Sequence, residues 1–156
     1  MKIWTRLRPE HIFLNVSIPD KDAALRFVAD VFVRDGIVKD ASALCQGMQL
    51  REQTMSTGIG NGIGIPHTTS TEAKDAALLL VVLKEPIDFE ALDNSPVDTI
   101  LALVLPENQT TLHLRMLAAI SRLCQKPGFL EFVRRATDSK TLLEEIRRLE
   151  EGIAFH

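Results

Sequence analysis

His67 is the residue of this chain whose surroundings most strongly suggest a reaction. It directly follows a segment of alternating glycines, and Pro66 restricts the backbone immediately before it. An imidazole near its reference pKa of about 6.5 is a neutral nucleophile at neutral pH. Because a single histidine is more often structural than catalytic, His67 alone leaves both interpretations open.

The glycine segment, STGIGNGIGIPH at 56–67, uses four of the eight glycines in the chain. Glycines can adopt positive φ and let several N–H groups converge on an anion. A tight connection that happens to be rich in glycine is the other interpretation. The nucleotide-binding patterns do not fit, since a Walker A loop needs Gly-Lys-Ser/Thr and no lysine lies between Arg51 and Lys74.

His113 lies in the first turn of a predicted helix, on its inward face. Leu117, Ile120 and Cys124 follow at i+4, i+7 and i+11, which is the spacing of one buried stripe. The ordinary interpretation is a histidine of the core. The functional one is that the free N–H groups and the dipole at a helix N-terminus favour a phosphate nearby.

Arg51 and Glu52 lie near the end of another predicted helix, on or beside an apolar stripe of Leu44, Met48 and Met55. A fully solvated charge is not expected on such a stripe. Arg51 could simply complement the dipole at the helix C-terminus, or it could neutralise charge on a transferring phosphoryl group.

Composition narrows the class of protein. With 156 residues, 46% of them hydrophobic, and a net charge of −3, the chain fits one globular domain. The longest apolar run, 76–83, is too short to cross a bilayer, and the N-terminus has no signal-peptide pattern, so we expect a cytoplasmic protein. Scattered basic residues, one tryptophan and no tyrosine disfavour nucleic acid as a partner.

The two cysteines stand apart, so Cys45 and Cys124 are predicted to be reduced and buried. A metal site formed by His67, His113 and a cysteine is disfavoured, because the chain has no i, i+4 histidine pair and no cysteine cluster. We therefore expect no metal ligands in this protein.

Local signals predict a single layered α/β domain. Continuous apolar runs indicate strands covered on both faces, and Asp20 and Asp138 are predicted helix N-caps. The predicted elements are a strand at 11–18, helices at 20–34 and 41–55, strands at 77–83 and 99–105, a helix from 108–111 to 125, a short helical segment through Phe129 and Phe132, and a helix at 138–150.

A set of motifs in order closely resembles the enzyme IIA domain of the fructose/mannitol family of the bacterial phosphoenolpyruvate:sugar phosphotransferase system. The nitrogen-regulatory IIA proteins are the nearest branch, and the resemblance covers roughly residues 12–150. The motifs are Arg51-Glu52, the glycine segment at 56–63, Ile65-Pro66-His67, Pro96-Val97 and Leu112-His113-Leu114.

The resemblance implies a single three-layer domain over 1–156, with a mixed β-sheet flanked by helices on both sides, an N-terminal extension at 1–10 and a core at about 11–150. It implies that His67 is the phosphorylated residue and that His113 and Arg51 complete the active site. Phosphate binding by loop residues is expected at Gly60, Asn61, Gly62 and Thr68.

The implied phosphoryl donor is HPr or an HPr-like carrier, and the implied acceptor, where one exists, is a cysteine of a IIB domain. Because phosphoryl transfer needs mainly positioning and stabilisation of charge, no cofactor is required. We expect no fused IIB, membrane IIC or HPr module. The glycine segment and the free-standing chain favour a regulatory phosphorelay that controls target proteins, and sugar uptake is the alternative.

Overall fold

The protein, as a computed structural model, forms one mixed β-sheet between two layers of helices. The structure describes residues 1–152, so the last four residues of the predicted domain lie outside it. The elements are β1 (Ile12–Val16), α1 (Lys21–Arg34), α2 (Ala41–Thr54), β2 (Gly58–Gly60), β3 (Ile63–Gly64), β4 (His67–Ser70), β5 (Ala77–Ile87), β6 (Val97–Pro106), α3 (Thr110–Cys124), α4 (Phe129–Arg135) and α5 (Ser139–Glu151). The predicted fold class is confirmed.

The sheet has the strand order β1-β5-β6-β3-β2, and β4 also pairs with β6. β5 and β6 form the antiparallel centre, whereas β1 runs parallel to β5, and β3 and β4 run parallel to β6. β6 therefore carries both β3 and β4 along one edge. The positions at which β3 and β4 pair with β6 therefore fix the spacing between the glycine segment and His67.

The two faces of the sheet bury separate hydrophobic clusters. Alternate residues of β5 and β6 point to opposite faces, as a pleated strand requires. Leu79, Val81 and Ala102 pack on the side of α1 and α2. Leu80 and Leu103 pack on the side of α3, α4 and α5.

Aspartate side chains cap three of the helices. Asp20, Asp40 and Asp138 accept hydrogen bonds from the backbone N–H groups of Ala23, Ala43 and Thr141. Each satisfies one of the unpaired donors of a first helical turn. α3 begins within the predicted range of 108–111, but its N-cap, Gln109, makes no side-chain cap hydrogen bond.

The hydrophobic core includes the N-terminal segment that sequence analysis treats as an extension. Ile3 and Leu7 are buried in the cluster beneath α3 and α5. The carboxylate of Glu150 accepts hydrogen bonds from the N–H groups of Ile3 (2.8 Å) and Trp4 (2.7 Å), which ties this segment to the end of α5. No helix within residues 1–152 is long and apolar enough to cross a membrane.

Candidate functional site

His67 and His113 come together on one face of the sheet. His67 is the first residue of β4 and pairs with Leu103 of β6, whose side chain belongs to the cluster beneath α3. His113 lies in the first turn of α3. The two ring centroids are 5.5 Å apart, with the ring planes at 80°.

The hydrogen bonding of His67 determines which nitrogen is free to react. Nδ1 lies 2.7 Å from the carbonyl oxygen of Ile65 and donates to it, because a carbonyl can only accept. In a neutral ring, Nε2 then carries the lone pair. Nε2 is buried and has no hydrogen-bond partner within the described residues, and the same holds for Nε2 of His113.

Burial and a neighbouring positive charge both favour neutral rings. Burial is the main cause that lowers the pKa of His67, and the charges of Arg51 and His113 lower it further. The Ile65 carbonyl and Glu52 oppose this effect. The pKa of His113 is also lowered, by burial and then by Arg51. Both imidazoles are therefore neutral at pH 7, so His67 is available as a nucleophile.

Arg51 acts on this site from an exposed position. It lies in the last turn of α2, close enough for its charge to lower the pKa of both histidines. The stripe predicted for this helix is wrong at its end, since Met55 follows the helix in an extended conformation and is 65% exposed. Leu44 and Met48 are buried as predicted.

Cys124 does not compete as a nucleophile. It is a free thiol on α3, and burial raises its pKa to about 12, so it stays protonated and unreactive at neutral pH. Cys45 is also free and lies in the other hydrophobic cluster, beneath α1 and α2. Within residues 1–152, no three histidine, cysteine, aspartate or glutamate side chains are grouped as metal ligands.

The glycine segment forms the β2–β3 hairpin. Gly60, Asn61 and Gly62 at its tip all have positive φ. The N–H group of Asn61 donates to the carboxylate of Asp93 (3.2 Å), and its carbonyl accepts from Arg134 (2.9 Å). The backbone N–H and carbonyl groups of Asn61 are therefore both occupied by protein partners.

The hairpin tip does not lie beside His67. The carbonyl of Gly62 accepts from the N–H group of Thr99, whereas the residue that precedes His67 accepts from Leu103. These two anchor points on β6 are four residues apart, which is roughly 13 Å at the rise of a strand. The structure therefore anchors Gly60, Asn61 and Gly62 away from the His67 end of β6, and their expected role in phosphate binding stays a prediction.

Thr68 also directs its side chain away from the histidine pair. It follows His67 in β4, so its side chain points to the opposite face of the sheet. A Cβ at Gly47 of α2 would lie 2.8 Å from the hydroxyl oxygen of Thr68, which shows how closely this side chain packs on α2. Its hydroxyl is thus not directed at Nε2 of His67.

The fold and the site define a class of protein: an α/β domain with one neutral, buried histidine beside a second histidine. Residues 6–149 match the family described as phosphoenolpyruvate-dependent sugar phosphotransferase system, EIIA 2. The chain belongs to this family. A nitrogen regulatory protein of Pseudomonas aeruginosa is 30% identical over 146 residues, covering 94% of this chain and 95% of the relative.

Solved structures show the same architecture. The nitrogen regulatory protein IIA-Ntr from Neisseria meningitidis has a TM-score of 0.86 at 25% identity, covering 92% of this chain and 98% of that one. Enzyme IIA-Mtl of Escherichia coli, solved in complex with phosphorylated enzyme IIB-Mtl, has a TM-score of 0.75 at 21% identity, covering 90% and 96% of the two chains. The second likeness concerns the fold alone.

Proposed function

We propose that this protein accepts a phosphoryl group on Nε2 of His67 from a phosphohistidine of HPr or an HPr-like carrier. The observation that carries the proposal is the hydrogen bond from Nδ1 to the Ile65 carbonyl, which leaves the lone pair on Nε2. The protein is then a phosphotransferase component, in keeping with its family.

The proposed phosphoryl transfer to His67 needs no separate acid, base or metal. The lone pair of Nε2 forms a bond to phosphorus while the phosphorus–nitrogen bond of the donor breaks and returns its electron pair to the donor imidazole. The Nδ1 proton of His67 stays in place throughout. Charge on the phosphoryl oxygens is stabilised by the positive charge of Arg51, with His113 donating a hydrogen bond beside it.

Transfer needs a local opening of the site. Nε2 of His67 is buried, so the donor phosphorus cannot reach it in the closed arrangement. We infer that docking of the carrier uncovers the ring edge. The docked carrier then excludes water, which strengthens the electrostatic contacts and limits hydrolysis of the phosphohistidine.

A regulatory phosphorelay is the function we favour. The similarity to nitrogen regulatory proteins over nearly the whole chain supports it, and the targets would be proteins whose binding depends on phosphorylation of His67. The alternative is sugar uptake, with transfer to a cysteine of a IIB domain. The family description and the complex of IIA-Mtl with phosphorylated IIB-Mtl support this alternative. The two free thiols suit a cytoplasmic location for either function.

The proposal is tested by intact mass after incubation with phosphoenolpyruvate, enzyme I and HPr. The native chain should gain one acid-labile phosphoryl group, and His67→Ala should gain none. His113→Ala should still be labelled, but more slowly, since it loses a stabilising donor and not the acceptor. Labelling of a folded His67→Ala variant would place the acceptor elsewhere.

A matched control is His11→Ala, because His11 is also buried but contacts Asp35 (2.8 Å) outside the site. This variant should be labelled at the native rate. If it loses labelling while circular dichroism shows it folded, loss of label in His67→Ala no longer identifies the acceptor. Transfer onward to IIB or to a regulatory target can then be measured with the labelled native chain.

A further inference from the structure

Glu52 is a buried carboxylate beside the active-site arginine. Its side chain is 5% exposed, and it forms an ion pair with Lys21 of α1, Nζ to Oε2, at 2.8 Å. The same oxygen accepts from the backbone N–H of Thr57 (2.9 Å), and Oε1 accepts from the Thr57 hydroxyl. A buried charge needs partners that compensate its lost hydration, and these contacts with Lys21 and Thr57 do so for the Glu52 carboxylate.

These contacts continue from Glu52 to His67 through two residues. The carbonyl of Thr57 accepts from the N–H of Ile65 (3.0 Å). The carbonyl of Ile65 accepts from Nδ1 of His67 (2.7 Å). Every position between the carboxylate and the imidazole is therefore held by a hydrogen bond.

We propose that Glu52 is a positioning residue, which holds Thr57 and, through Ile65, keeps His67 in the tautomer that has its lone pair on Nε2. The inference rests on the proposed role of His67 as acceptor. Glu52 touches neither the imidazole nor the incoming phosphoryl group. It acts by fixing the carbonyl that orients the ring, and the same turn of α2 carries Arg51.

Lys21 links the Glu52 carboxylate to the segment that contains Phe89. Besides its ion pair with Glu52, its ammonium group donates to the carbonyl of Phe89 (3.1 Å), which also accepts from the Ser56 hydroxyl (2.8 Å). The segment that connects α2 to the glycine hairpin is thus held at both Ser56 and Thr57. Removing Glu52 would leave a buried ammonium, so a test has to treat Lys21 together with it.

The test compares Glu52→Gln, the double variant Glu52→Gln/Lys21→Met, and Thr57→Val with the native chain. Nitrogen-15 NMR of the His67 ring at pH 8 reports the tautomer without any phosphoryl donor. We expect the variants to show a mixture of tautomers. We expect the rate constant for phosphoryl acceptance to fall about 10-fold or more with an unchanged KM for the carrier, by analogy with the outer partners that orient metal-binding histidines.

The matched control is Glu150→Gln. Glu150 is likewise a buried carboxylate that accepts from two backbone N–H groups, but these belong to Ile3 and Trp4 in the N-terminal segment. Glu150→Gln should lower the free energy of unfolding and leave both the His67 tautomer and the rate of phosphoryl transfer unchanged. A loss of rate in Glu150→Gln equal to that in Glu52→Gln would reduce Glu52 to a structural role.

The outcomes separate this inference from the proposed function. If the native chain is not phosphorylated, the proposed function fails, while the NMR measurement still shows whether Glu52 controls the His67 tautomer. If the native chain is phosphorylated and the folded variants keep both tautomer and rate, the positioning role is overturned. Thr57→Val keeps the Glu52–Lys21 pair intact, so it provides the test if the charge variants fail to fold.

Discussion

At the scale of the residue, the tautomer and protonation state of His67 come from its surroundings rather than from the imidazole itself. One nitrogen is occupied by the Ile65 carbonyl, and the other is buried without a partner. Burial and the charge of Arg51 both disfavour protonation. The outcome is a ring that keeps its lone pair at pH values where a solvated histidine would be substantially protonated.

The pH dependence of the two histidines follows from these causes. In an NMR titration, His67 and His113 should both have midpoints below 6.5, their ordinary value. Arg51→Gln should raise both midpoints, because the positive charge that disfavours protonation is removed. Arg115→Gln, an exposed arginine on α3, is the control and should leave them unchanged. Unchanged midpoints in Arg51→Gln would remove Arg51 from the electrostatics of the site.

The same pKa changes make stability depend on pH. Between the lowered pKa of the folded state and the ordinary value near 6.5, the unfolded chain binds more protons than the folded one. The free energy of unfolding therefore decreases as the pH falls below 6.5. Burial of neutral His67 and His113 is compatible with full stability at and above neutral pH.

At the scale of the element, the tip of the glycine hairpin makes contacts that hold neighbouring segments together. Its tip contacts Asp93, Asp98 and Arg134, and a Cβ added at Gly62 would lie 2.7 Å from the guanidinium of Arg134 and 3.0 Å from the carboxylate of Asp98. Arg134 in turn pairs with Asp98 (2.9 Å). The hairpin thus joins the β5–β6 connection to α4, and its glycines permit both the positive φ and this close approach.

Gly62→Ala tests this role. It should lower the free energy of unfolding by about 1–3 kcal/mol, because alanine is strained at positive φ and crowds Arg134. Phosphoryl acceptance should stay at the native rate, since the tip lies roughly 13 Å along β6 from the His67 anchor point. Chemical denaturation and the labelling assay measure the two effects.

Gly36→Ala is the control for Gly62→Ala. Gly36 has a similar φ of 75° with no atom within 4 Å of an added Cβ, so it reports backbone strain alone and should cost less. If Gly62→Ala instead abolishes labelling in a folded protein, the hairpin takes part in phosphate binding, as the sequence suggested.

At the scale of the whole molecule, the two hydrophobic clusters serve different needs. The cluster beneath α3, α4 and α5 supports the face that carries both histidines, and the N-terminal segment packs into it. The cluster beneath α1 and α2 supports the opposite face, which includes Thr68. The cluster beneath the histidine face therefore includes residues from both ends of the described chain.

Leu7→Ala measures the contribution of the N-terminal segment. Leu7 is 4% exposed, so its truncation should lower the free energy of unfolding by about 2–5 kcal/mol. Leu92→Ala is the matched control, because Leu92 is 65% exposed and should change stability little. Equal denaturation midpoints for the two variants would mean that the segment contributes nothing to the core.

The sequence by itself determined the features that depend on local order. The helices α1 and α5 with their aspartate caps, the central strands β5 and β6, and the family could be predicted, because periodicity, capping and motifs reside in neighbouring residues. The short strands β2, β3 and β4 were not predicted. They contain two to four residues each and carry no apolar pattern, and only pairing with one another and with β6 makes them strands.

Only the tertiary structure decided the geometry of the site. It placed the tip of the glycine hairpin away from His67 and turned Thr68 to the other face of the sheet. It also brought the ring of His113 beside that of His67, and the Ile65 carbonyl to its Nδ1. It also buried Glu52 against Thr57 and Lys21. These relations arise from register in the sheet and from packing between distant segments, and no local pattern in the sequence encodes them.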